Sequence, residues 1–424
     1  MLLFPLVINT SRCPRPQNPH LRYVNSGFSD FGTPKNPSFK INIKPFKKKF
    51  FTIMKYYLIA GEASGDLHGS NLMKAIKSKD LNADFRFYGG DKMQSVGGTL
   101  VRHFRDTAVM GFINVLLNLR KILSNIDFCK KDLKEYAPDV LILIDYPGFN
   151  LKIAKYAKEE LGLRVIYYIP PKIWAWKEHR VEQIKKYVDE VYAIFPFEVD
   201  FYAKHGVKAT YVGNPCVQSI LQRNITPKEE FLKNNALEDK PIVALLPGSR
   251  TQEVKSSLPI YKALLGEKFK DYQFVLAATS AVKPELYNDA GDLKLVYDQT
   301  YDLLTYSSAA VVNSGTATLE TALIGTPQVV CYHVAFGRLA YAIFSRVLKI
   351  SHVSLVNIIA RKGVVKELLA HFFTAENTSA ELEKLLFDTA YRSEILSGYA
   401  EISQTLGSTI AAVTAAELIT QSKK

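Results

Sequence analysis

The stretch LIAGEASGDLHG, Leu58 to Gly69, reads as a buried strand running into a glycine turn and then a helix, the unit from which doubly wound parallel sheets are built. In such folds the turn commonly holds phosphate on the open amides of the helix. Here it carries Glu62 and Asp66, which would repel an anion. A carboxylate at that lip accepts hydrogen bonds from neutral donors and suits sugar hydroxyls better. Gly61 and Gly65 permit the tight turn, while Ser64 or Asp66 has the spacing of a helix N-cap. His68 reads as packed or solvated.

The same alternation continues outward. KYYLIAGE, DVLILIDYP, LRVIYYI and EVYAIFPF read as buried parallel strands, with helices over 67–79 and 150–162 between them. Beyond YVGNPCVQ the pattern restarts with IVALLPGSR, YQFVLAA, LKLVYD, AAVVNSG and TPQVVCYH, and helices fall near 255–269 and 315–324. The fold class is therefore α/β, two doubly wound Rossmann-like domains facing each other across a cleft. We expect the first over 54–212 and the second over 213–400, with a linker at Gly213–Arg223 and a helix over 401–424.

Composition narrows the function. The chain has 424 residues, 47% of them hydrophobic, enough for large cores. Its four cysteines lie far apart with no CxxC pair, against a zinc knuckle or a disulfide scaffold and in favour of a reducing compartment. No apolar run reaches the roughly 18 residues of a membrane span. The net charge of +13 is uneven: residues 1–53 hold nine Lys and Arg and one acid, Asp30, which leaves +5 on the rest. That distribution argues against nucleic acid as a partner. Residues 1–53 read as an unstructured basic extension, and an over-extended start, an acid-poor targeting segment and a lipid-touching tail all fit it.

Several further stretches bear chemistry. LIDYPGFN places Asp145 at the carboxyl end of a strand, where it is either an Asx turn or cap, or a general base at the lip of the cleft. LLPGSRTQEV ends a strand at Leu246, turns on Gly248 and Ser249, and offers the planar donor fork of Arg250 at a helix start, with Glu253 as a capping partner. Phosphate binding and plain turn chemistry both fit it. NSGTATLETALIGTP is a second such unit: Ser314, Gly315, Thr316 and Thr318 present hydroxyls and amides. Glu320, one turn inside, either reaches a ribose diol or complements the helix dipole. No DxD pair is present, so no metal and no cofactor is expected. The helix pattern over 336–349 is basic and amphipathic, suited to core packing or a membrane interface. VMGFINVLLNLRKIL, 109–123, is apolar nearly all round. Trp174 and Trp176 suit either a loop over the cleft or core packing.

Taken together, AGEASGDLHG, IDYPGFNLKIA, IWAWKEHRVEQI, FPFEVDFYAKHGV, LLPGSRTQEV and SGTATLETAL, in this order, resemble the lipid-A-disaccharide synthase family along nearly all of residues 54–400. That resemblance implies a GT-B glycosyltransferase that joins UDP-2,3-diacylglucosamine to 2,3-diacylglucosamine 1-phosphate with inversion, releasing UDP. It implies that Glu62, Ser64 and Asp145 matter for activity, with Asp145 as base, that Arg250 contacts phosphate, and that Asn357 and Glu367 of VSLVNIIARKGVVKEL serve the nucleotide half. It further implies a cytoplasmic enzyme, peripheral on the inner face of the inner membrane, its oligomeric state open. Gly148, Pro171 and Asn214 depart from the family, where a second acid, a serine and a histidine are frequent. A UDP-sugar epimerase of the same architecture is the rival enzyme reading, and a basic nucleic-acid or membrane adaptor the non-enzymatic one.

Overall fold

A computed structural model describes residues 53–107, 119–280, 282–333 and 352–421. Seven parallel strands form a first sheet: β1 (Lys55–Ala60), β2 (Asp84–Gly89), β3 (Thr99–His103), β4 (Val140–Ile144), β5 (Arg164–Tyr168), β6 (Glu190–Ala193) and β7 (Ala209–Tyr211). Their spatial order is β3-β2-β1-β4-β5-β6-β7. Six more, β8 (Ile242–Leu246), β9 (Gln273–Ala278), β10 (Lys294–Tyr297), β11 (Ser307–Asn313), β12 (Gln328–Tyr332) and β13 (Glu367–Leu369), form a second sheet in the order β10-β9-β8-β11-β12-β13. Both orders reverse once, between β1 and β4 and between β8 and β11. In an open parallel sheet the crevice for a ligand lies at that reversal, beyond the carboxyl ends of the strands.

Both sheets are covered on two faces, which is why their strands are continuously apolar. In β1, Tyr56, Leu58 and Ala60 enter one core while Tyr57 and Ile59 enter the other. In β8, Val243 and Leu245 pack opposite Ile242, Ala244 and Leu246. The chain then returns: the helix Thr389–Leu406 packs on the second sheet through Ile395, Tyr399 and Ile402, whereas the helix Ala411–Gln421 buries Ala411, Ala412, Ala415, Ala416 and Ile419 against the first.

One local expectation is corrected. Asp66 does not cap its own helix, which starts at Ala63 with Glu62 in the N-cap position. Asp66 is buried, and its carboxylate accepts from the amides of Gly90, Lys92 and Met93 at 2.8–3.0 Å, capping the helix Asp91–Val96 instead. A charged acceptor on three amides at a helix start is a strong pin, and it ties the acidic loop to the turn after β2. The helix pattern at 336–349 and residues 109–118 of the second apolar stretch lie outside the described residues.

Candidate active site

The turns singled out after β1 and β4 meet at the first reversal. Gly61 is required there: a β-carbon on it would lie 2.3 Å from the Tyr146 ring. Asp145 and Tyr146 follow β4 in the left-handed region, with φ of 44° and 49°, and Ile169 after β5 has φ of 60°. Such backbone is strained for side-chain-bearing residues, most of all for a β-branched one. Hydrogen bonds hold it. The Tyr167 hydroxyl and Asn150 Nδ2 both donate to the Asp145 carbonyl, at 2.6 and 2.7 Å, and the Asp145 amide donates to the Ile169 carbonyl at 3.1 Å.

With its backbone fixed on both sides, Asp145 stands half-buried at the carboxyl end of β4, at the reversal of the sheet. Burial pushes its pKa up to about 6, the charge of Glu62 pushes the same way, and Lys172 and the Tyr146 amide oppose them. That value suits a group that must take a proton near neutral pH. Ser64 donates to Glu62 Oε1 at 2.6 Å, fixing the second carboxylate. The structure thus brings Glu62, Ser64 and Asp145 together.

At the reversal of the second sheet the turn after β8 holds Gly248, at φ +104°, then Ser249 and Arg250 at the head of the helix Thr251–Lys262. Arg250 is exposed. Glu253 reaches back to accept from the Ser249 and Arg250 amides at 3.1 and 3.2 Å, and Arg250 Nη1 lies 3.3 Å from its other oxygen. The turn after β11 is adjacent, because a β-carbon on Gly248 would lie 2.8 Å from Asn313 Nδ2. Gly315 and Thr316 are exposed and Ser314 half-buried. Thr318 is buried and donates to the Gly315 carbonyl at 2.8 Å, so its hydroxyl supports the turn. Glu320 accepts from the Tyr301 hydroxyl at 2.8 Å, and burial raises its pKa.

Asn357 and Glu367 meet each other rather than the Gly248 turn. Asn357 is buried, donates to the Val365 carbonyl and Glu367 Oε1, and accepts from the Val364 and Val365 amides, all at 2.8–2.9 Å. That exhausts an amide side chain. Glu367 also accepts from the amides of Val353 and Ser354. Both therefore shape the segment 353–367.

Two ionisable residues that the motifs did not single out are in or against the loop after β5. Glu198 is fully buried, accepts from Trp174 Nε1 and from the amides of Ile194 and Phe195 at 3.0–3.1 Å, and burial raises its pKa to about 7. An acid three residues into a helix that opens with a proline, as in FPFE, was the available signal. Lys172 is exposed in the loop after β5, between the buried Pro171 and Ile173. It lowers the pKa of Asp145 and Glu198, and it opposes the rise that burial and Glu320 impose on Cys216. Cys216 lies on the helix Pro215–Leu221, which packs on the helix carrying Glu320. Lys172 thus lies within electrostatic reach of Asp145 on the first sheet and of Cys216 beside the second. Asn214, one of the family departures, caps that same helix and donates to the Ile194 carbonyl at 2.9 Å.

Among the described residues no cluster of three or more His, Cys, Asp or Glu could hold a metal, and no helix is long and apolar enough to cross a membrane. The family model described as lipid-A-disaccharide synthetase matches residues 56–417. Lipid-A-disaccharide synthase of Geobacter metallireducens is 35% identical over 359 residues, covering 83% of this chain and 92% of the relative. That of Myxococcus xanthus is 38% identical over 371 residues, covering 85% and 96%. The S. aureus MnaA-UDP co-structure superposes with a TM-score of 0.60 at 12% identity, over 87% of this chain and 96% of that one, a likeness of fold. With two Rossmann-like sheets and a match along nearly all of both, the chain belongs to the lipid-A-disaccharide synthase family, glycosyltransferases of lipid A biosynthesis.

Proposed function

We propose that the protein condenses UDP-2,3-diacylglucosamine with 2,3-diacylglucosamine 1-phosphate, giving the β-1,6-linked lipid A disaccharide 1-phosphate and UDP with inversion. In this reading the acceptor's 6-hydroxyl oxygen attacks the donor's anomeric carbon from the face opposite the diphosphate. Asp145 takes the hydroxyl proton as the new C–O bond forms, and the bond to UDP breaks. A single displacement inverts the centre. Glu62, oriented by Ser64, accepts from neutral sugar hydroxyls. Arg250, with the turn Gly248–Ser249 and the helix start at Ser314–Thr316, takes the negative charge of the leaving UDP, and Glu320 faces the ribose.

The observation that carries this reading is the Asp145–Tyr146 turn, held in left-handed backbone by the Tyr167 hydroxyl and Asn150 Nδ2, which sets the half-buried Asp145 carboxyl near Glu62, whose charge together with burial raises its pKa. Acids gather at one reversal, and the exposed cation Arg250 stands at the other. Because both substrates would carry acyl chains, the enzyme is proposed to work peripherally at the inner face of the inner membrane.

Mass spectrometry of the products from the two acylated glucosamine substrates tests the reaction. A disaccharide 1-phosphate is expected, and conversion of the UDP-sugar without acceptor would overturn it in favour of epimerisation. Asp145→Asn should keep UDP binding while turnover falls about 10²-fold or more. Near wild-type turnover removes Asp145 from the mechanism.

A further inference from the structure

The turn that the proposed function assigns to the leaving diphosphate already holds an anion. Glu253 Oε2 accepts from the amides of Ser249 and Arg250 at 3.1 and 3.2 Å, and its Oε1 lies 3.3 Å from Arg250 Nη1. It sits so close over the turn that a β-carbon on Gly248 would come within 2.3 Å of Oε2. Two convergent amides and a guanidinium are the donor set that a phosphate oxygen would use. The carboxylate is supplied from one helical turn away, on the helix Thr251–Lys262.

We infer that Glu253 is an internal competitor for the donor's diphosphate, a residue that sets the affinity and charge selectivity of the nucleotide site. The inference rests on the donor-site reading above. A ligand must displace the carboxylate before its phosphate reaches the Ser249 and Arg250 amides. A phosphate tethered to uridine, whose other contacts hold it in place, displaces the carboxylate more readily than a free one. Once displaced, Glu253 releases Arg250 to close on the phosphate. After transfer the carboxylate returns, which favours release of UDP.

The opposing account is structural. A glutamate three residues past the N-cap, bonded back to the first amides, supports the helix start. Its loss would loosen the turn and weaken phosphate binding. The two accounts predict opposite signs.

Calorimetric titration of UDP and of uridine into the wild type, Glu253→Gln and Arg250→Ala separates them. Glutamine keeps the size and an acceptor oxygen but removes the charge. We expect it to bind UDP roughly fivefold tighter, as loss of one charge-assisted contact allows, with uridine unchanged. Equal or weaker UDP binding overturns the inference. Arg250→Ala should bind UDP more weakly. If it binds like the wild type, the phosphate reading of the turn fails, and the competitor fails with it. If Arg250→Ala is weakened and Glu253→Gln is no tighter, only the competitor falls. Should Glu253→Gln not fold, Glu253→Asp gives the same readout: its shorter carboxylate withdraws from the amides, and tighter UDP binding is again expected.

Discussion

As the proposed base, Asp145 would trade stability for chemistry. Its carboxyl titrates near 6 in the folded protein against an ordinary value of 3.8, so between those values the folded state binds the proton more tightly than the unfolded chain. Stability therefore falls as pH rises through that window, and the loss is complete above about 6. Asp145→Asn removes the cost. Urea unfolding at pH 8 should find the variant more stable by up to about 3 kcal/mol, and at pH 4 nearly equal to the wild type. No gain at pH 8 would mean that the carboxylate is not held in an unfavourable environment. Lys172 works in the opposite sense. It lowers the Asp145 pKa, so Lys172→Met should move the acid limb of the kcat/KM profile to higher pH while leaving UDP affinity near wild type. A stationary limb would uncouple the two groups. Asp145 stands out in the sequence because it ends an apolar run two residues before Pro147. Lys172 does not, since an exposed lysine between Pro171 and Ile173 has no pattern of its own, and its influence comes only from the strand order that sets β5 beside β4.

The elements themselves were largely written in the chain wherever strands lie at the centre of a sheet. β1, β4, β5 and β8 are buried on both faces, so their sequences are near-continuous Val, Ile, Leu, Ala and Tyr, whereas β11, SSAAVVN, is buried only along Ala309–Asn313. The edge strands gave less. β3 is only half-buried and reads TLVRH, and β7 and β13 have three residues each, too short for any period to register. The Asp66 cap was misread for a related reason: its spacing fits its own helix, and the partner helix Asp91–Val96 comes near only after β1 and β2 pair. The hydrogen bonds of Asn357 and Glu367 within the segment 353–367 are set by the fold and leave no mark in a linear motif. At this scale Gly61 is the decisive position. Gly61→Ala places a methyl against the Tyr146 ring, and displacing that ring is expected to disturb the left-handed turn that carries Asp145. Turnover should fall at least about tenfold with an overpacking loss of about 1–3 kcal/mol in stability, while UDP titration stays near wild type because the Gly248 turn belongs to the other sheet. Unchanged turnover would show that the Tyr146 turn does not position the base.

For the whole molecule, the joint between the two halves is built where the chain crosses twice. The first crossing leaves β7 through the buried Val212, turns at Gly213, and enters the helix Pro215–Leu221, whose Cys216 and Val217 pack in the core of the second sheet. The second leaves the helix Thr389–Leu406 and returns to the first sheet as the helix Ala411–Gln421, anchored there by Lys79–Glu417 and by Arg164 donating to the Ile419 carbonyl at 3.1 Å. The two crossings touch: a β-carbon on Gly213 would sit 2.3 Å from the Thr409 carbonyl oxygen, and Gly213 has φ of +103°. Neither obstacle can be relieved by a rotamer change, because both are backbone. Gly213→Ala should therefore cost about 1–3 kcal/mol from the strained φ alone, and more from the contact with Thr409. The sheets keep their own cores, so the variant should retain UDP binding at the proposed Gly248 site while turnover falls, since the proposed transfer needs acids from one sheet and cations from the other held in register. Thermal unfolding checks the stability loss, and paired UDP titration and turnover check the coupling. A midpoint within about 1 °C of wild type, or losses of affinity and turnover in equal proportion, would show that the two sheets are not coupled through this crossing.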